Sequence, residues 1–152
     1  MRFDVQNQLS SAQAFTGAAT VTTNAYLIAN SSVYNTANDP DISIGRRMSL
    51  LVLITTAAGA GSTHTWDVVS ATGTNLTSGQ KVLNTVTNLA AALILGYAFE
   101  IPIPQKSVDQ LYIGGRNTST GGTTTVSADI YLLAADEIPA FRSFPKVVDA
   151  LV

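Results

Sequence analysis

The apolar positions of this chain recur mostly at every second residue, the period of a strand with one face in a core. One stretch departs from that pattern. Residues 48–54, Met-Ser-Leu-Leu-Val-Leu-Ile, follow Gly45, Arg46 and Arg47 and run on without a charge or a breaker. The stretch is well short of the ~18 apolar residues of a membrane span, and β-branched residues lie near its end. It reads as a central strand, apolar on both faces. Such a strand needs cover on both sides. One cover is a second sheet; the other is expected to be a neighbouring subunit.

The remaining pattern predicts more strands. Residues 18–28 alternate, with an irregularity at Asn24. Residues 63–71 place Trp66, Val68 and Ser70 on one face and Thr65, Asp67 and Val69 on the other. Residues 81–87 give a short strand through Val82, Asn84 and Val86. In residues 97–104, Tyr97, Phe99, Ile101 and Ile103 share a face, while Pro102 and Pro104 put the strand at a sheet edge or end. Residues 110–114 read as a central strand, and residues 124–133 turn Val126, Ala128, Ile130 and Leu132 inward. The turn expected at 117–123 would join these two as a hairpin. Residues 88–95 are ambiguous: their Ala and Leu content and a capping Asn88 favour up to two helical turns before Gly96.

Seven or eight strands between Gly-, Asn- and Thr-rich turns, with no long helix, predict an all-β fold. A jelly-roll β-sandwich of about eight antiparallel strands suits that number. The expected organisation is an N-terminal arm (1–17), the sandwich (18–135) and a C-terminal tail (136–152). The arm carries Phe3, Val5 and Leu9 without a clean period. The tail carries Phe141, Arg142 and Phe144, and Pro139 and Pro145 keep it from being one long element.

Composition changes this picture in one respect. The 152 residues suit a single domain, and only 12% are charged, about half the usual share. Thr, Ser, Asn and Gly must finish the surface, and part of it is expected to be covered by other protein in the working state. The net charge of −2 argues against nucleic acid as a partner, and no secretion signal or membrane segment is expected. There is no Cys, so disulfides and thiol chemistry are excluded.

Candidate chemistry is sparse. The single histidine, His64, shares a face with Trp66 and lies opposite Asp67, so no triad is marked. Asn38, Asp39 and Asp41 form an acidic loop without a calcium-binding pattern. Gly59 and Gly61 lack the lysine and helix of a phosphate cradle. No catalytic residue, cofactor or metal is expected, and the chain does not read as an enzyme. The candidate contact residues are Phe3, Val5, Leu9, Arg46, Arg47, Phe141, Arg142 and Phe144, because aromatic and Arg side chains commonly anchor protein interfaces.

Three sequence features occur together: Asn7-x-Leu9-Ser10-x-Ala12-Gln13-Ala14, Ile44-Gly45-Arg46 before the apolar strand, and Leu95-Gly96-Tyr97-x-Phe99 with Pro102. In their order and spacing the chain resembles the small capsid cement (decoration) proteins of tailed phages, of the Bbp16-like family, over roughly residues 7–133. The resemblance implies a jelly-roll protein forming dimers or trimers on the outer surface of an icosahedral head. There it would bridge major capsid protein subunits after shell expansion, having been made in the host cytoplasm. The tail after Asp136 has no counterpart in that pattern. The rival expectations are a carbohydrate-binding jelly roll on a phage fibre or surface, and a cupin-like hydrolase. One histidine argues against the latter.

Overall fold

A computed structural model describes residues 8–17, 19–27, 47–59, 63–104, 110–121, 125–136 and 138. The strands in chain order are β1 (Gln8–Thr16), β2 (Thr20–Val21), β3 (Tyr26–Leu27), β4 (Met48–Thr56), β5 (Thr63–Ala71), β6 (Lys81–Leu89), β7 (Ala98–Pro102), β8 (Tyr112–Thr120) and β9 (Thr125–Ala134). They form two antiparallel sheets packed as a β-sandwich. The first sheet has the order β1-β9-β4-β7; the second has β2-β8-β5-β6, with β3 also on β8.

Alternation sets the core. Leu50, Val52 and Ile54 of β4 face Trp66 and Val68 of β5, with Phe99 and Ile101 of β7 and the Val126-to-Leu132 row of β9 completing the layer. Trp66 lies at its centre, edge-on to Phe15 at 5.2 Å and to Phe99 at 5.8 Å between ring centroids. Edge-to-face contacts of this kind add to the area buried.

The central strand is two-faced, as its sequence requires. On the outer side of the first sheet Leu51 is fully buried, packed with Leu133 and Ile138 and flanked by Ala98 and Tyr131. The expected neighbouring subunit is thus replaced at this point by the chain's own residues: Ile138, from the start of the expected tail, lies over β4.

The outer side of the second sheet has a smaller apolar cluster. Val69 and Ala71 are covered by Leu76 from the 72–80 connection. Leu76 sits at φ 58, and a Cβ on Gly114 would come within 2.3 Å of its Cδ1. The absent side chain at Gly114 makes the seat for Leu76.

Four expectations are corrected. The described part of the expected arm, residues 8–16, is strand β1, paired with β9 and carrying Leu9 and Phe15 into the core. The 18–28 strand is broken into β2 and β3, where Thr22 puts its own hydroxyl within 3.2 Å of the Gly115 N–H. The expected hairpin does not form: β8 runs on through Asn117 to Thr120 in the second sheet, while β9 belongs to the first. Inward-facing Ile113 and Asn117 fit one sheet, and the Gly121 turn crosses to the other. Residues 88–95 finish β6 and add a single 3-10 turn, Ala90–Ala92, with no side-chain cap.

Side chains lace the two open flanks of the sandwich. On one flank Gln13 Nε2 donates to the Val21 carbonyl at 2.7 Å, and Gln13 Oε1 accepts from the Thr23 N–H at 2.9 Å. On the other, Asn84 Nδ2 donates to the Pro102 carbonyl at 2.7 Å.

Candidate functional site

Of the eight expected contact residues, two fall among the described ones. Leu9 is buried in the domain's own core, because β1 is a sheet strand; it offers no surface to a partner. Arg47 is exposed just before β4, its carbonyl accepting the Ala135 N–H at 2.8 Å. Phe3, Val5, Arg46, Phe141, Arg142 and Phe144 lie outside the described residues, as do Asn38, Asp39 and Asp41.

Among the described residues no group of three or more His, Cys, Asp or Glu is placed to hold a metal ion. His64 is fully buried on the inner face of β5. Its Nδ1 lies 3.1 Å from Asn117 Oδ1, and its ring stacks against Trp66 at 6.3 Å. Asp67 points to the opposite face, as alternation predicts. There Arg116 donates to Asp67 Oδ2 from Nε at 2.9 Å and from Nη2 at 2.6 Å, and Thr85 Oγ1 donates to Oδ1 at 2.7 Å. Arg116 also donates to Gln80, tying the 72–80 connection to the sheet. The carboxylate is thereby committed to a structural pair.

A second polar group lies on the outer face of the first sheet. β1 bulges at Ala12, whose φ of 44 turns its N–H onto Asp129 Oδ1 at 2.5 Å. The Tyr131 hydroxyl donates to Asp129 Oδ2 at 3.4 Å. Burial, then the Asp129 charge and this hydrogen bond, push the Tyr131 phenol up to about 12.

The more distinctive feature is one end of the sandwich. Pairings Thr16↔Thr125 and Leu89↔Thr63↔Thr120, with Leu53↔Ala98, bring the described link residues 17, 19, 57–59, 90–97 and 121 to the same end. None of these residues is Asp, Glu, Lys, Arg or His. The end presents Leu89, Ile94 and Leu95, exposed by 64%, 60% and 71%, beside the partly exposed Tyr97. Their exposure is built in. Leu93 is buried in the core, the Ala58 N–H donates to its carbonyl at 3.0 Å, and Ile54 exchanges two 2.9 Å backbone bonds with Gly96 and Tyr97. Gly96, at φ 81, closes the turn that holds Ile94 and Leu95 outward. The uncharged run 86–98 carried this signal in the sequence; reading it for helix content alone hid it.

No protein-family model matches this chain, and no curated protein matches it.

Proposed function

We propose that this protein is a non-enzymatic assembly module, a capsid cement protein of the jelly-roll type that binds the outer surface of a phage head and bridges major capsid protein subunits. The observation that carries the reading is the uncharged end with Leu89, Ile94 and Leu95 exposed beside a turn hydrogen-bonded to Ile54 and Ala58. An exposed apolar patch with polar surroundings is the usual mark of a protein contact surface. The strand orders β1-β9-β4-β7 and β2-β8-β5-β6 support the jelly-roll part, since every connection except β2–β3 and β5–β6 crosses between sheets. The sequence features behind the resemblance have structural work here: Leu9 and Phe99 are core residues, and Gly96 makes the turn. A carbohydrate platform is less favoured, because the sole Trp is buried between Phe15 and Phe99.

The test is to mix the purified protein with expanded, undecorated heads and sediment them. The expected outcome is saturable co-sedimentation and a higher temperature of head disruption. Heads that sediment alone, with unchanged heat resistance, refute the reading. A version lacking residues 1–7 asks separately whether Phe3 and Val5 contribute, because it leaves β1 whole.

A further inference from the structure

The interior of the sandwich holds a polar knot that no surface contact uses. His64 and Trp66 sit two residues apart on the inner face of β5, 0% and 1% exposed, their rings stacked at 6.3 Å. Asn88 of β6 is the residue directly opposite His64, so the three side chains share one face. Three of their polar atoms, His64 Nε2, Trp66 Nε1 and Asn88 Nδ2, are shielded from solvent and have no hydrogen-bond partner among the described residues. Buried polar atoms left unpaired are uncommon and costly, so these three require a ligand that serves them together.

The donor and acceptor roles follow from Asn117. Its Nδ2 donates to the Thr65 carbonyl at 3.4 Å, which leaves Oδ1, 3.1 Å from His64 Nδ1, as an acceptor. The reverse amide orientation would set two oxygens against each other. His64 Nδ1 therefore carries a proton, and in the neutral ring Nε2 presents a lone pair. Trp66 Nε1 and Asn88 Nδ2 can only donate. The site thus offers two donors and one acceptor. A metal ion would meet the two donors, and an anion would meet the His64 lone pair. An apolar guest would satisfy none of the three. Phe15 and Phe99, edge-on to the indole, offer it at most a ring face, a weak acceptor. A water molecule accepts and donates at once, and is the smallest ligand that does so.

We infer that one water molecule is bound inside the sandwich, accepting from Trp66 Nε1–H and Asn88 Nδ2–H and donating to His64 Nε2. Three hydrogen bonds are what a buried water commonly makes. Asn88 immediately precedes Leu89, so the bridge ties the inner face of β5 to the end of β6 that carries the exposed patch. The site does not depend on what the outer surface binds.

The chain has one histidine and one tryptophan, so their ring signals in nuclear magnetic resonance need no assignment. The experiment pairs the nitrogen-15 shifts of the His64 ring, in mildly alkaline buffer, with oxygen-17 relaxation dispersion of the solvent, which counts long-lived internal waters. It is run on the wild type, H64F and N88L. The expected result is a ring protonated at Nδ1 and not at Nε2, and a wild-type water count that falls by one in each variant, both keeping a cooperative urea transition. A wild type without a long-lived internal water, or a His64 ring protonated at Nε2, overturns the inference. So does either folded variant that keeps the wild-type count. If a variant fails to fold, a crystal structure of the wild type decides: a water within hydrogen-bond distance of Trp66 Nε1, Asn88 Nδ2 and His64 Nε2 supports the site, and its absence refutes it. Head binding by the wild type bears only on the cement reading.

Discussion

At the scale of single residues, Asp67 and Arg116 show how burial makes a pair asymmetric. The Asp67 side chain is 4% exposed and that of Arg116 is 23% exposed. Removing Arg116 strands a buried carboxylate, whereas removing Asp67 leaves a guanidinium that can turn to water. Arg116→Met is expected to cost about 3 kcal/mol, the lower end for a broken buried pair, and Asp67→Asn distinctly less. Urea midpoints of the two variants check the order. Tyr131 yields a pH prediction. Its folded-state value is raised to about 12, above the ordinary phenol value near 10. The proton is held more tightly in the folded state, so the contribution is full below about pH 10 and is lost as pH rises toward about 12. Tyr131→Phe is expected to flatten that alkaline fall, read as urea midpoints across the same window.

At the scale of elements, β4 is the strand whose two faces do different work. Leu50 and Leu51 are both fully buried, one between the sheets and one beneath Ile138. Leu51→Ala is expected to cost about 2–5 kcal/mol, as for an interior leucine. Ile138→Ala is expected to be non-additive with it in a double-mutant cycle, because the two residues share one small cluster. Additive costs would show that Ile138 is not its cover. This strand also shows what the sequence made legible. The unbroken apolar run of β4, the alternation of β9 and of Trp66 and Val68 in β5, and the prolines at the β7 edge followed local rules. Which strand pairs with which did not. β8 and β9 adjoin in sequence and part company in space, because Trp66, Ile113 and Ile130 must meet across two layers. Leu9 looked like an arm residue because the bulge at Ala12 breaks the alternation of β1. The exposed end was hidden for a related reason: an uncharged Leu/Ala run has the same composition whether it is buried helix or outward turn, and only Leu93 and Gly96 decide.

At the scale of the molecule, the fold depends on β1, which enters the core from the far end of the chain to pair with β9. Deleting residues 1–16 removes Leu9 and Phe15, each worth several kcal/mol, from a domain whose whole stability is about 5–15 kcal/mol. The cooperative thermal transition is expected to vanish, whereas removal of residues 1–7 alone is expected to preserve it. A retained transition in the longer deletion would make β1 dispensable. The pairing Gln8↔Tyr131, with Met48↔Ala134 beside it, has a practical consequence. The first residue of β1 and the last of β9 leave the sandwich at one pole, while Ile94 and Leu95 occupy the opposite one. Cargo joined directly ahead of Gln8 would therefore start at the first pole, away from the greasy one, giving the domain a built-in front and back as a display scaffold.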